Sequence, residues 1–227
     1  MAGLRVFLTG FGPFPGVPEN PSAWLAETLA KQASAPELDG EILARTLPTE
    51  WKATALMPRV YAALQPHVMI HFGVSQRAQA FRIERSAFNR TVPRIDATGA
   101  LPSDPVIHPE GPDRVDTALP AEALAAHLKS CGLPAMASRF AGRYVCNYLY
   151  YHSLDWARRH RSACLVLFVH IPLPSGKSGP FSDEILLRGA HEILRFVLNV
   201  ARGQRPNEAL AAQALAPRTP MLDAREA

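Results

Sequence analysis

Three residues far apart in the chain carry side chains that could together cleave an acyl bond: Cys146, His170 and Glu84. In Gly142-Arg143-Tyr144-Val145-Cys146-Asn147-Tyr148-Leu149-Tyr150-Tyr151 a glycine-led turn passes into an aromatic helix, with the thiol at its start. A helix N-terminus offers unpaired N–H groups and a partial positive charge, which favour a thiolate and make the residue a candidate nucleophile. Most free cysteines are instead small buried hydrophobes, and position alone leaves Cys146 open to that use. A thiol nucleophile needs a base, and the base needs a third group to fix its tautomer. Of the eight histidines, only His170 ends a buried strand on the same edge as Cys146, and imidazole titrates near neutral pH. Taken alone, it reads first as a strand-end histidine satisfied by backbone. His152 falls on a different face of the Cys146 helix and is expected to be structural. Glu84 is the orienting acid, because an inward carboxylate in the alternating segment 81–89 is costly without a partner. A surface pair with Arg85 is its alternative.

These three groups meet only if the elements carrying them converge. Leu4-Arg5-Val6-Phe7-Leu8-Thr9 reads as a buried strand closed by Gly10, followed by the loop Gly10-Phe11-Gly12-Pro13-Phe14-Pro15-Gly16. Asn20 and Pro21 then open a helix to about Ala33. A strand near 41–47, a helix near 50–64 and an apolar strand at 67–72 continue the alternation, which predicts a parallel sheet covered on both faces. Residues 81–89 alternate like a strand exposed on one face, and 91–116, rich in Pro, Gly and Asp, read as a long functional loop or hairpin. Helices are predicted at 120–131, 145–159 and 182–202, and strands at 135–140 and 163–170. The expected fold is α/β, a three-layer α/β/α sandwich with a mostly parallel open sheet. A single domain is expected over 1–202, with a loosely ordered tail over 203–227. In such sheets ligands bind beyond the carboxyl ends of the strands, where Cys146, His170 and the phenylalanine loop all fall.

Composition narrows the function classes. With 227 residues, 48% hydrophobic and 19% charged, the chain has the make-up of a folded protein. The formal charge of +4 is a mild excess, and its one arginine cluster, Arg158-Arg159-His160-Arg161, reads as a solvated helix end. No nucleic-acid partner is expected. Three cysteines without metal-ligand or paired spacing suit a reducing compartment. No apolar run reaches the length of a membrane span, so a cytoplasmic location without membrane contact is expected.

The blocks "LTGFGPF…NPS", "IERSAFN", "GRYVCNYLYYHSL" and "LFVHIPLP" occur in this order from about Leu4 to Arg202. Together they resemble the pyrrolidone-carboxylate peptidases, or pyroglutamyl peptidases I, a family of cysteine peptidases. The resemblance implies an α/β/α sandwich and a Glu-Cys-His triad at Glu84, Cys146 and His170. It further implies removal of N-terminal 5-oxoproline from peptides through a thioester, without metal or organic cofactor, by an enzyme that assembles as a homo-oligomer, often a tetramer. By the same carry-over Arg94, in "PRID", lies near the oxyanion, and the flat lactam stacks between Phe11 and Phe14, walled by Thr49, Ile95, Tyr144 and Val145. The chain departs from the family where Gly-Gln and two glycines give way to Gly73-Val74-Ser75-Gln76-Arg77, where "TPERVAIN" becomes "RIERSAFN", and near the histidine in "HIPLPSGKSG". Gln76 is expected to supply the amide missing at Val74. The triad would equally serve another N-blocked peptide or small amide, and a binding protein that keeps the fold is a third reading.

Overall fold

The structure, a computed structural model, describes residues 3–33, 40–160, 163–174 and 181–215, with side chains as far as residue 203. The changed segment 175–180 and the tail beyond Leu215 lie outside the described residues. The strands are β1 (Leu4–Phe11), β2 (Gly40–Leu47), β3 (Val68–Val74), β4 (Phe81–Glu84), β5 (Ser86–Phe88), β6 (Arg114–Asp116), β7 (Ala135–Ser138) and β8 (Leu165–Ile171). The helices are α1 (Pro21–Gln32), α2 (Trp51–Ala55), α3 (Met57–Leu64), α4 (Ala121–Ser130), α5 (Val145–Arg159) and α6 (Asp183–Leu215).

Six strands form one sheet in the order β2-β1-β3-β8-β4-β7, and β5 pairs with β6 in a second, two-stranded sheet. All pairings in the large sheet are parallel except β4 against β8. The predicted α/β/α sandwich with a mostly parallel sheet is therefore present.

Strand alternation sorts the side chains into two cores, one on each face. Leu4, Val6 and Leu8 of β1, Val68, Ile70 and Phe72 of β3, and Leu165, Leu167 and Val169 of β8 pack with α1, α4 and α6. Phe7 and Phe11, Met69, and Val166 and Phe168 pack on the opposite face with α3 and α5. His170 follows this second set by register, two residues after Phe168. On β4, Phe81 and Ile83 join the first core. Arg82 and Glu84 are thereby left on the α5 face. The parity of two strands thus puts an imidazole and a carboxylate under the helix that starts beside Cys146.

Three expectations change. The segment 81–89 is not one strand with a solvent-facing side: it breaks at Arg85 into β4 and β5, which belong to different sheets. Its polar residues Glu84, Ser86 and Asn89 are buried, because α5 covers that face, while Arg85 turns outward to pair with Glu122 at 2.6 Å. The helix expected over 50–64 divides at Leu56, where Pro58 supplies no N–H and would crowd the carbonyl of Thr54 in a continuous helix. The final helix runs past Arg202 to Leu215. Among the described residues no helix is long and apolar enough to cross a membrane. Arg158 and Arg159 of the basic cluster stand at an exposed helix end and bind Asp155 at 2.7 and 2.8 Å, while Arg161 lies outside the described residues.

Candidate active site

The loop after β1 is held by short polar bonds. Asn20 caps α1, accepting from the Ser22 N–H at 3.1 Å, and donates to the Gly12 carbonyl at 2.9 Å. Ser22 Oγ accepts from the Phe11 N–H at 2.9 Å, and Thr49 Oγ1 donates to the Gly12 carbonyl at 3.0 Å. Each such bond contributes about 0.5–1.5 kcal/mol net, enough together to fix a short loop that contains three prolines. Gly10 is required here, since a Cβ would lie 2.0 Å from the Ser22 carbonyl oxygen. The result places Phe11 and Phe14 on one wall of a cavity of about 650 Å³.

The opposite wall comes from α5. Tyr144 is its cap residue, and the first helical bond runs from the Tyr148 N–H to the Tyr144 carbonyl at 3.0 Å. The N–H groups of Val145, Cys146 and Asn147 precede that bond and fall outside the helical ladder. Cys146 is the second helical residue, half-buried, and lines the cavity. Its sulfur rests against the end of β3: a Cβ on Gly73 would meet Sγ at 3.2 Å and the Phe168 ring at 2.7 Å, so only glycine lets the strand approach this closely. Asn147, fully buried, accepts from the Phe88 N–H at 2.8 Å and donates to the Phe88 and Arg90 carbonyls at 2.8 and 3.2 Å. It ties the helix start to the chain leaving β5.

His170 Nδ1 lies 2.9 Å from Glu84 Oε1, with Glu84 fully buried and the His170 side chain 10% exposed. An unpaired buried carboxylate would cost several kcal/mol, so this contact decides the partner of Glu84 in favour of His170 over Arg85. The Tyr150 hydroxyl donates to the Glu84 carbonyl at 2.8 Å and fixes the backbone below it. The ring also hydrogen-bonds the Cys146 side chain, and with Nδ1 engaged by Glu84 the other nitrogen is the one left for it. Burial alone would lower the His170 pKa; the hydrogen bonds and negative charges of Cys146 and Glu84 override it and hold the ring up to about 9. The imidazolium is therefore the resting form at neutral pH. His152, by contrast, is driven down to about 4 chiefly by burial and packs edge-on to Tyr148 at 4.6 Å, away from the cavity lining.

Arg94 lines the cavity and lies over the Tyr144 ring, 4.8 Å from its centroid. Its loop is pinned by Asp96, whose carboxylate accepts from the N–H groups of Trp51, Thr98 and Ala100 at 3.0, 2.9 and 3.0 Å. Burial opposes the charge on Asp96, yet these bonds bring its pKa below the ordinary value. The Tyr144 hydroxyl donates to the Ile95 carbonyl at 2.9 Å. Asn89 clasps the same long loop farther on, accepting from the His108 N–H at 2.8 Å and donating to its carbonyl at 2.7 Å.

Of the residues named from the sequence, Phe11, Phe14, Thr49, Gln76, Arg94, Tyr144, Cys146 and His170 line the cavity, and Glu84 stands behind His170. Two are not brought there as walls. Val145 is fully buried in the α5-side core, and the Ile95 side chain is 56% exposed, its carbonyl serving Tyr144 instead. Residues without an assigned role also belong to the site: Arg77, Arg82 and Phe140 line the cavity, and Asn147, Asp96 and Gly73 hold its parts. Asn89 and Asn147 stood in the recognised blocks, but an asparagine binding distant backbone leaves no periodic signal.

Comparison with known proteins agrees with this geometry. The sequence pattern of the pyroglutamyl peptidase family matches residues 4–178. Pyrrolidone-carboxylate peptidase 1 of Ralstonia nicotianae is 34% identical over 177 residues, 77% of this chain and 81% of the relative. The pyrrolidone-carboxylate peptidase of Gloeobacter violaceus is 35% identical over 214 residues, 89% of this chain and 98% of the relative. Pyroglutamyl peptidase I of Bacillus amyloliquefaciens superposes with a TM-score of 0.74 at 32% identity, covering 85% of this chain and 95% of its own. A mutant pyrrolidone carboxyl peptidase from the hyperthermophile Pyrococcus furiosus superposes with a TM-score of 0.79 at 28% identity, covering 87% of this chain and all of its own. With its family pattern matched over most of its length and a cysteine, a histidine and a glutamate converging at one cavity, the chain belongs to the pyroglutamyl peptidase family of cysteine peptidases.

Proposed function

We propose that this chain removes the N-terminal pyroglutamyl group from peptides, with Cys146 as nucleophile, His170 as acid and base, and Glu84 as the group that orients the ring. The observation that carries the reading is the contact line from Glu84 Oε1 through His170 to Cys146, open to a cavity at the sulfur end and buried at the carboxylate end. The thiolate attacks the carbonyl carbon joining the lactam ring to the next residue, and the carbonyl π electrons move to oxygen. The Arg94 guanidinium and the free N–H groups at the start of α5 are the donors for that oxyanion. Collapse breaks the C–N bond, and the imidazolium gives its proton to the departing amine. Water then attacks the thioester, losing a proton to His170, and the C–S bond breaks to restore the thiolate.

The lactam is flat and uncharged, which suits a slot between Phe11 and Phe14 because no charge needs desolvation there. Recognition still needs a partner for the lactam amide. Gln76 lines the cavity, and its Nε2 lies 3.5 Å from where a Cβ on Gly16 would project, which places the amide beside the Phe14–Val17 turn. Gln76→Ala is expected to raise KM and lower kcat/KM on pyroglutamyl-β-naphthylamide by about ten- to a hundredfold, the cost of one unmade buried bond. Unchanged kinetics would remove Gln76 from the site.

The whole reading is tested by comparing pyroglutamyl-β-naphthylamide with prolyl-β-naphthylamide, which lacks the 5-oxo group. Hydrolysis of the first and not the second is expected; equal hydrolysis, or none, overturns it. Three cysteines without paired or metal-ligand spacing in the sequence fit the cytoplasm as the working compartment. The assembly proposed with it is a homo-oligomer, with sedimentation of the purified protein as the readout.

A further inference from the structure

We infer that the part of the cavity beyond His170 is a carboxylate-binding subsite for the departing half of the substrate, built by Arg77 and Arg82. The inference rests on the pyroglutamyl peptidase reading and adds to it a preference for peptides with a carboxylate just after the scissile bond.

Sheet order sets the direction. Phe11 ends β1 and Thr49 follows β2, so the lactam side lies over one end of the sheet. His170 ends β8, two strands along, and Arg82 is its register partner on β4, one strand farther out. An acyl bond centred on the Cys146 sulfur, with its ring over β1 and β2, must send its leaving amine towards β4.

The lining in that direction is cationic. Arg82 on β4 and Arg77, on the connection that passes β8 on its way from β3 to β4, both line the cavity, Arg94 adds a third guanidinium, and among the described residues no aspartate or glutamate lines it. Arg77 is exposed and forms no ion pair among the described residues. Arg82 donates through Nη2 to Ser138 Oγ at 2.9 Å, while its buried Nε has no hydrogen-bond partner. The nearest carboxylate oxygen, Glu84 Oε1 at 3.6 Å, is already bonded to His170. Glu84 and the imidazolium offset each other, and the thiolate charge is lost on acylation, so the arginines leave a net positive cleft. Low-dielectric walls focus such a field on an incoming anion, and a guanidinium binds a carboxylate through charge-assisted bonds.

The carboxylate could come from the side chain of the following residue or from the C-terminus of a dipeptide, and two substrate pairs separate these sources. The first is pyroglutamyl-glutamyl-amide against pyroglutamyl-glutaminyl-amide; the second is pyroglutamyl-alanine against pyroglutamyl-alanyl-amide. The charged member of at least one pair is expected to have kcat/KM higher by about three- to tenfold in low salt, with the ratio shrinking in high salt. Arg77→Gln and Arg82→Gln should each reduce the ratio, and Arg82→Lys should restore part of it. Equal rates within both pairs overturn the subsite while leaving the peptidase reading intact, since the neutral members are still cut. A ratio that persists unchanged in the Arg77→Gln, Arg82→Gln double variant also overturns it; if that variant does not fold, Arg77→Gln alone, at an exposed residue, decides. No cleavage of any member removes the peptidase reading itself, and the subsite with it.

Discussion

Replacing Cys146 by serine is expected to lower kcat/KM on pyroglutamyl-β-naphthylamide by about four orders of magnitude or more, with the fold intact. Removing the nucleophile of a triad disables the whole unit, and losses of this size and above are usual. Serine keeps the shape of the side chain and is only slightly smaller, and the site around it is fixed by other groups: Asn147 holds the start of α5, and Gly73 makes room for the atom at the tip. Stability should therefore change little. The same atom should distinguish itself chemically. Among the three cysteines, Cys164 is buried, and burial pushes its thiol up to about 12, where it is inert at neutral pH. Cys131 is half-buried at the end of α4, 3.9 Å from a His127 nitrogen that Glu192 already engages at 3.0 Å, and it lines no part of the cavity. Iodoacetamide should label Cys146 first, and loss of activity should track that single modification, read by peptide mass mapping. Labelling of Cys131 in step with Cys146, or activity that survives full modification of Cys146, would remove the nucleophile from the mechanism.

The parts of this site visible in the sequence were those governed by short-range rules. The strand-ending His170, the helix-starting Cys146 and the loop of Phe11 and Phe14 each sit at an element boundary, and boundaries are marked by glycine, proline and changes of hydrophobic period. Because loops converge at the carboxyl edge of a parallel sheet, knowing the boundaries was nearly enough to bring these groups together. Glu84 was harder. Its segment alternates, but what buries its polar residues is α5, some sixty residues away, and the reversal of β4 against β8 that sets Arg82 opposite His170 has no local signature. Segment 81–89 also changes sheets at Arg85, where one residue turns out to Glu122 and the ladder ends. Val145 and Ile95 show the opposite failure. Each is a neighbour in sequence of a residue that does face the cavity, but helix and loop geometry turn adjacent side chains in different directions, Val145 into the core and Ile95 into solvent. The supporting bonds of Asp96, Asn89 and Asn147 link residues far apart in the chain and became visible only with the fold.

Glu84→Gln tests the electrostatic half of the triad. Glutamine can still place an oxygen near His170 Nδ1, so the ring stays close to its position while the negative charge is lost. In triads of this kind, changing the orienting acid to its amide lowers kcat by about 10³–10⁴-fold, because the tautomer is no longer fixed and the imidazolium is no longer compensated. The pH profile should move as well, and its direction follows from the causes of the His170 shift. Burial works to neutralise the ring, and Cys146 and Glu84 hold it protonated up to about pH 9. Below that pH the proton needed by the leaving amine is present; above it the proton is lost, so the parent enzyme should decline on an alkaline limb near 9. Removing the Glu84 charge deletes one of the contributions that raise the pKa and leaves the burial contribution in force. The limb should therefore shift to lower pH in Glu84→Gln, measured as kcat/KM against pH for the variant and the parent. A packing role for Glu84 would instead lower activity, or the thermal midpoint, with the alkaline limb unmoved. That outcome would leave the 2.9 Å contact as a structural one.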